Sequence, residues 1–100
     1  MKVGYSKSFT KAIKKLSGKM LDSVKDVIRE VKNARSVKDI NNCVPLVGYK
    51  NVYRIRIGDY RAIFTFHVYI KDDVVMFEYL VSRGQVYNKK VQKELRKKDS

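Results

Sequence analysis

The sequence predicts an α+β fold, in which two N-terminal helices pack on a mostly antiparallel twisted sheet of about four strands and a basic segment follows at the C-terminus. Three observations support this prediction. The first third of the chain has apolar residues at helical spacing, two alternating runs meet at Gly58-Asp59, and a long apolar run follows from Val74 to Val81. We expect residues 1–100 to form a single domain with one core.

Two helices are predicted before residue 34. Their apolar positions are Phe9, Ala12, Ile13 and Leu16 in the first, and Met20, Leu21, Val24, Val27, Ile28 and Val31 in the second. Ser6 or Ser8 is the candidate cap of the first helix, and Ser17-Gly18 separates the two. Because an apolar stripe needs an apolar partner, we expect the second helix to pack on the sheet.

Most of the predicted strands lie between residues 44 and 81. Residues 33–52 read as a loop with a turn of helix at Val37 to Ile40 and an extended segment at Val44 to Val47. The alternating run after Gly58-Asp59 should form a long strand that continues to Ile70, followed by a turn at Lys71-Asp72-Asp73. The apolar run from Val74 to Val81 is typical of a strand covered on both faces, so we expect it to be central.

The hairpin from Tyr53 to Phe64 is the most informative stretch. Glycine in the first position of a two-residue loop suits a type II′ turn, which places Ile57 opposite Tyr60, Arg56 opposite Arg61 and Ile55 opposite Ala62. Alternation then puts three arginines on one face, namely Arg54, Arg56 and Arg61. Like charges directly opposite each other are mildly destabilising, so this face predicts a site for an anion.

Composition points the same way. A net charge of +13 and a pI near 10 attract polyanions, which leaves nucleic acid, an anionic membrane or an acidic protein as partner classes. No apolar run reaches the ~20 residues of a spanning helix, and the first residues lack a signal peptide, so we expect a soluble cytoplasmic protein. The single cysteine, Cys43, and the single histidine, His67, form no metal-ligand pattern, and no cofactor is expected.

The C-terminal part adds candidate site residues. Arg83 keeps the parity of Val75, Phe77, Tyr79 and Val81, which predicts that it emerges just past the end of the last strand. Tyr87, Val91 and Leu95 recur at helical spacing among lysines and arginines, which indicates a basic helix or a partly ordered tail. The candidate RNA-binding cations are Lys50, Lys89, Lys90 and Lys93.

This order of elements resembles the RelE/ParE superfamily of toxins from type II toxin–antitoxin systems. Two stretches carry the resemblance: Tyr53 to Phe64, with its Gly-Asp-Tyr-Arg turn, and Leu80 to Tyr87, where an apolar strand ends in arginine with tyrosine four residues on. RelE-like members cleave messenger RNA, typically in the ribosomal A site, whereas ParE-like members inhibit DNA gyrase and lack the basic catalytic set. The resemblance implies a cognate antitoxin as partner.

The catalytic positions of the RelE-like pattern are matched here by Arg54, Arg56, Arg61, Arg83 and Tyr87. The resemblance therefore favours a metal-independent endoribonuclease that acts on ribosome-bound mRNA. Relatives often have lysine where this chain has Arg54 and Arg56, and some have histidine where it has Ser82. Since arginine stays protonated, the cluster suits phosphate binding better than proton transfer.

Other interpretations of the same residues stay open at this point. Arg61 has two acidic candidates for an ion pair, Asp59 and Glu78, and Tyr87 has a packing role as an alternative. His67 is more typical of a sheet residue than of a catalyst. The alternative functions are a ParE-like gyrase inhibitor, a non-catalytic nucleic-acid-binding module and a family member that has lost its activity.

Overall fold

The computed structural model describes residues 1–99. The helices are α1 (Lys7–Lys14), α2 (Gly18–Asn33) and α3 (Lys89–Lys98), with short 3-10 turns at Val37–Asp39 and Arg83–Gln85. The strands are β1 (Lys2–Tyr5), β2 (Cys43–Pro45), β3 (Val52–Ile57), β4 (Tyr60–Val68) and β5 (Asp73–Ser82). No helix within the described residues has the length and apolar character needed to cross a membrane.

The strands form one sheet in the order β1-β5-β4-β3-β2. Three of the four pairings are antiparallel and β1 runs parallel to β5, so the prediction of a mostly antiparallel sheet is confirmed. The sheet has five strands instead of about four, because the short segments Lys2–Tyr5 and Cys43–Pro45 both pair at its edges. As expected, β5 is interior, with β1 on one side and β4 on the other.

Helices α1 and α2 cover one face of the sheet, as predicted. Ser6 caps α1, since its Oγ accepts a hydrogen bond from the Phe9 backbone N–H at 3.0 Å. The ring of Phe9 stacks on Phe77 of β5 with centroids 4.9 Å apart. The buried core on this face also contains Val24 and Val31 of α2.

Helix α3 covers part of the opposite face. Val91 and Leu95 are buried against Ile63 and Tyr79 of the sheet. Of the two predicted alternatives, a basic helix and a partly ordered tail, the helix is confirmed. The face of the sheet opposite α1 and α2 is therefore occupied in part by an apolar contact with α3. The basic surface is left open at the hairpin end of β3 and β4.

A β-bulge in the β4–β5 pairing corrects the predicted parity of β5. Ile63 pairs with Tyr79 and the next residue, Phe64, pairs with Phe77, so Glu78 is the extra residue. Val75 and Phe77 consequently lie in the core under α1 and α2, whereas Tyr79 and Val81 pack with α3. The four residues share no single face, and only those after the bulge lie on the arginine side of the sheet.

Candidate nucleic-acid interface

The hairpin holds three arginines on one face, as the sequence predicts. The observed register pairs Ile57 with Tyr60, Arg56 with Arg61 and Ile55 with Ala62, each as expected. Gly58 has φ +59°, the left-handed conformation that the first loop position of a type II′ turn requires. Because Ile55 and Ala62 are buried under the helices, the guanidinium groups project from the other face.

Arg83 joins these arginines through the backbone. It lies in the 3-10 turn that follows β5, and its N–H donates a hydrogen bond to the carbonyl of Asp59 in the hairpin turn at 2.9 Å. In the adjacent register Tyr60 pairs with Ser82 and Arg61 with Val81. The end of β5 is thus fastened beside Arg61, and the bulge at Glu78 puts Val81 on the arginine side.

The electrostatics of Arg61 reflect this arrangement. Desolvation lowers the pKa of its guanidinium, and the charges of Arg54, Arg56 and Arg83 lower the same pKa further, against the opposing pull of Asp59. We call these four residues, Arg54, Arg56, Arg61 and Arg83, the arginine cluster. Its members repel one another, and each is at least partly accessible to solvent.

Within residues 1–99 no arginine of the cluster forms an ion pair with a carboxylate. The proposed pairing of Arg61 with Glu78 is wrong, because Glu78 is buried and bonded to Lys98 at 2.6 Å and to Thr65 at 2.9 Å. Asp59 also lies outside ion-pair distance of Arg61. Arg61 instead donates from Nη1 to the carbonyls of Gly58 and Tyr60, both at 2.9 Å, which orients the guanidinium without neutralising it.

A groove of about 330 Å³ lies over the cluster. It is lined by Arg54, Arg56 and Arg61 and, on the side of the edge strand, by Asn42 and Val44. Its lining includes donors for an anion and no acidic side chain. An anion such as a phosphate fits this lining, because guanidinium groups bind its oxygens in pairs.

Tyr87 stands apart from the apolar stripe that suggested a packing role. Its side chain is 60% exposed, whereas Val86, Val91 and Leu95 are buried. It lies close enough to Tyr49 to affect that residue: burial raises the pKa of Tyr49, Arg96 lowers it, and Asp99 and Tyr87 raise it. The packing interpretation is therefore right for Val91 and Leu95 and wrong for Tyr87.

Comparison with known proteins identifies the family. The toxin RelE3 of Methanocaldococcus jannaschii is 32% identical over 89 residues, which cover 88% of this chain and 97% of that protein. The chain belongs to the RelE toxin family. No protein-family model matches the sequence.

Solved structures of RelE proteins share the fold. The toxin in the RelB–RelE antitoxin–toxin complex from Methanococcus jannaschii has a TM-score of 0.66 and 28% identity, with 86% of this chain and 96% of that chain covered. The RelE–RelB complex of Pyrococcus horikoshii OT3 has a TM-score of 0.64 and 28% identity, and the match covers 84% of this chain and 96% of that chain. The intact Escherichia coli RelBE complex gives 0.62 at 19% identity, covering 81% and 94%, which shows the fold alone.

The lysines predicted to bind RNA are spread over the RelE fold. Lys50 is exposed, and its backbone N–H donates to the Asp99 carboxylate at 3.0 and 3.1 Å. Lys89, Lys90 and Lys93 are exposed on α3. Lys90 lines a second groove of about 600 Å³, between α1 and the end of β5, together with Lys11 and Lys15. It therefore belongs to a different surface from the groove over the arginine cluster.

Sequence reasoning missed the side of the groove that the edge strand builds. Val44 pairs with Arg54 in the register of β2 and β3, and the preceding Asn42 has φ +57°. The Asn41-Asn42 pair before an extended segment signals a turn, but it does not say which strand that segment joins.

Within residues 1–99 no group of three or more His, Cys, Asp or Glu side chains is placed to hold a metal ion.

Proposed function

We propose that this RelE-family toxin is a metal-independent endoribonuclease that cuts messenger RNA on the ribosome and so arrests translation. The observation that carries the proposal is the arginine cluster, in which the four charges lie near enough to act on Arg61, and none of the four arginines forms an ion pair with a carboxylate in residues 1–99. A sheet position that brings Arg56 opposite Arg61 is costly for the free protein. A bound phosphate would convert that repulsion into attraction.

The proposed chemistry is attack of a 2′-hydroxyl on the adjacent phosphate. The 2′-oxygen bonds to phosphorus and the bond to the 5′-oxygen breaks, which leaves a 2′,3′-cyclic phosphate and a 5′-hydroxyl. The proton of the 2′-hydroxyl must be removed, and the departing 5′-oxygen must be protonated. Between these events negative charge builds up on the equatorial oxygens of the phosphorane.

The cluster would contribute mainly to that charge. Arg56 and Arg61 bind the scissile phosphate, Arg54 orients the neighbouring backbone, and Arg83 lies at the leaving oxygen. Fixed guanidinium donors stabilise developing charge without reorganisation, since they are already held by the sheet. They remain protonated near neutral pH, so their role is electrostatic.

Tyr87 would contact RNA outside the groove over the arginine cluster, because it does not line that groove. Its exposed ring is available to stack on an unpaired base or to position the 2′-hydroxyl, which is the usual use of an aromatic side chain in RNA recognition. The proposal further includes a cognate antitoxin. An acidic or amphipathic segment laid over the arginine cluster or the helices would block access of RNA, and opposite charge would speed its association.

Expression of the chain alone tests this function. Induction should arrest growth, and primer extension on cellular transcripts should show new 5′ ends inside translated codons. Single changes Arg61→Ala, Arg83→Ala and Tyr87→Ala should each relieve arrest. Lys32→Ala should not, because Lys32 lies at the C-terminal end of α2, whereas Met20 near the other end of that helix faces Gly58 of the hairpin. Growth arrest with intact transcripts and loss of gyrase supercoiling activity would assign the chain to gyrase inhibition instead.

A further inference from the structure

The groove over the arginine cluster has a second wall, made by the edge strand. Strand β2 pairs with β3 so that Val44 lies opposite Arg54 and Cys43 opposite Ile55. Since side chains alternate, Val44 shares the arginine face while Cys43 packs toward the helices, where it borders the main core. Val44 is 42% exposed and lines the groove with the arginines.

Asn42 is fixed at the same wall by the backbone. Its carbonyl accepts a hydrogen bond from the Arg56 N–H at 3.0 Å, which continues the pairing of β2 with β3 by one residue. Its side chain is exposed and lines the groove. The carboxamide is therefore held beside Arg56 by the strand and not by contacts of its own.

The backbone at position 42 is unusual. Asn42 has φ +57°, and within residues 1–99 every other residue with positive φ is a glycine. Asparagine tolerates this left-handed conformation better than most residues, but glycine satisfies it at no steric cost. The turn alone would thus be served by glycine, and what asparagine adds is its carboxamide over the groove.

The carboxamide differs in chemistry from the rest of the lining. Arginine side chains only donate hydrogen bonds, whereas asparagine both donates and accepts and carries no charge. Among the groove's lining residues, Asn42 alone has a side-chain acceptor. A neutral donor–acceptor pair matches the edge of a nucleobase, and an exposed apolar side chain matches its face.

We propose that Asn42 and Val44 form a base-contacting wall, where Asn42 hydrogen-bonds the edge of the nucleobase next to the bound phosphate and Val44 packs against the base. This inference rests on the proposed RNA function, and it assigns base preference to the edge strand and phosphate binding to the arginine cluster. The division is testable because Asn42→Gly keeps the backbone conformation and removes only the carboxamide.

The test measures binding of RNA pentamers by fluorescence anisotropy, independently of cleavage. The central nucleotide carries a 2′-deoxy sugar, and two sets vary the base on its 5′ or its 3′ side through all four identities. In one of the sets the wild-type chain should discriminate the best from the worst base by about 10-fold, the range of one good base contact. Asn42→Gly should reduce this spread to about two-fold while keeping the mean affinity.

Two controls separate the walls of the groove. Asn41→Ala removes the neighbouring carboxamide, which does not line the groove. The backbone N–H of residue 41, which donates to Glu30, is unchanged. This variant should keep the full base preference. Arg56→Gln should weaken all pentamers alike and reduce the slope of log affinity against log salt by about 0.7. Asn42→Gly should leave that slope unchanged, and circular dichroism should show that all variants are folded.

The outcomes distinguish this inference from the function on which it rests. RNA binding with no base preference in the wild type, or with the same preference in Asn42→Gly, overturns the base-contacting wall and leaves phosphate binding by the cluster intact. A uniform loss of affinity in Asn42→Gly also contradicts it, because it indicates a general role. A wild-type chain that binds none of the pentamers at low salt also overturns the base-contacting wall. The proposed function fails separately, when the wild-type chain does not cut mRNA on ribosomes.

Discussion

Arg56 and Arg61 lie directly opposite each other across β3 and β4. Directly opposite residues have the shortest distance between side chains on neighbouring strands. With like charges, this short distance destabilises the folded state. Arg54 and Arg83 add to the same repulsion. The hairpin therefore combines a well-specified register with charges that the register alone would not select.

Removing one of the opposed charges should stabilise the free protein. Arg56→Gln is expected to raise the free energy of unfolding by about 0.5 kcal/mol at low salt, with a smaller gain at high salt as screening weakens the repulsion. Urea denaturation at two salt concentrations measures this. The matched control is Arg29→Gln, which removes an exposed arginine bonded to Asp26 and should give no gain. A loss of stability in Arg56→Gln would argue that the pair is structural.

Divalent oxyanions should bind the cluster and stabilise the fold. For a dissociation constant of about 20 mM, about 100 mM sulfate adds about 1 kcal/mol, which raises the Tm of a domain of this size by about 4–8 °C. Sulfate also stabilises proteins in general through exclusion from their surface. The informative quantity is therefore the difference between the wild type and Arg61→Gln in thermal melts. Equal shifts in the two proteins would contradict anion binding at the cluster.

The ion pair between buried Glu78 and partly exposed Lys98 should fasten α3 to the sheet. Glu78 is 4% exposed and Lys98 is the cation that neutralises it, so Lys98→Ala leaves a buried carboxylate without its partner. We expect a loss of about 2 kcal/mol in urea denaturation, less than for a fully buried pair because Lys98 is partly exposed. Lys97→Ala, at the neighbouring exposed position, should change stability by less than about 0.5 kcal/mol. Adding Glu78→Gln to Lys98→Ala should restore most of the loss, and no restoration would rule out the buried charge as its cause.

Cys43 should react slowly in the folded protein. Two effects together raise the pKa of its thiol from 9.0 to about 11. The larger is burial, and the smaller is the nearby negative charge of Glu30. At pH 8 the thiolate is then about 100-fold scarcer than in the unfolded chain, so alkylation by iodoacetamide should slow by about that factor. Because the folded pKa exceeds the unfolded one, the thiol's contribution to stability is complete below pH 9 and is lost as the pH rises toward about 11. Alkylation at equal rates with and without urea would contradict this.

Local patterns predicted the parts of the fold that local physics determines. The register of the hairpin follows from Gly58 in a two-residue turn, and the first helices follow from apolar stripes that need the sheet as a partner. The three arginines of the hairpin share a face for the same local reason. These features depend on residues within one or two elements, so a single sequence is sufficient for them.

The rest of the site depends on pairings between distant segments. The bulge at Glu78 changes which residues of β5 lie on the arginine side, and nothing in an apolar run marks where such an insertion falls. The partner of β2 is another long-range choice, and it brings Asn42 and Val44 to the groove. Val91 and Leu95 have a sheet contact that Tyr87 lacks, because α3 begins only at Lys89.

The most direct test of the arginine cluster as an RNA-cleaving site is a single-turnover assay. Purified wild type and Arg61→Gln are mixed in excess with ribosomes that carry a 5′-labelled mRNA, and the cut fraction is followed with time. Wild type should cut within translated codons, and Arg61→Gln should cut the same position at least about 100-fold more slowly, as expected when one donor to a developing charge is lost. Equal cleavage rates for the two proteins would contradict a role for the cluster in catalysis.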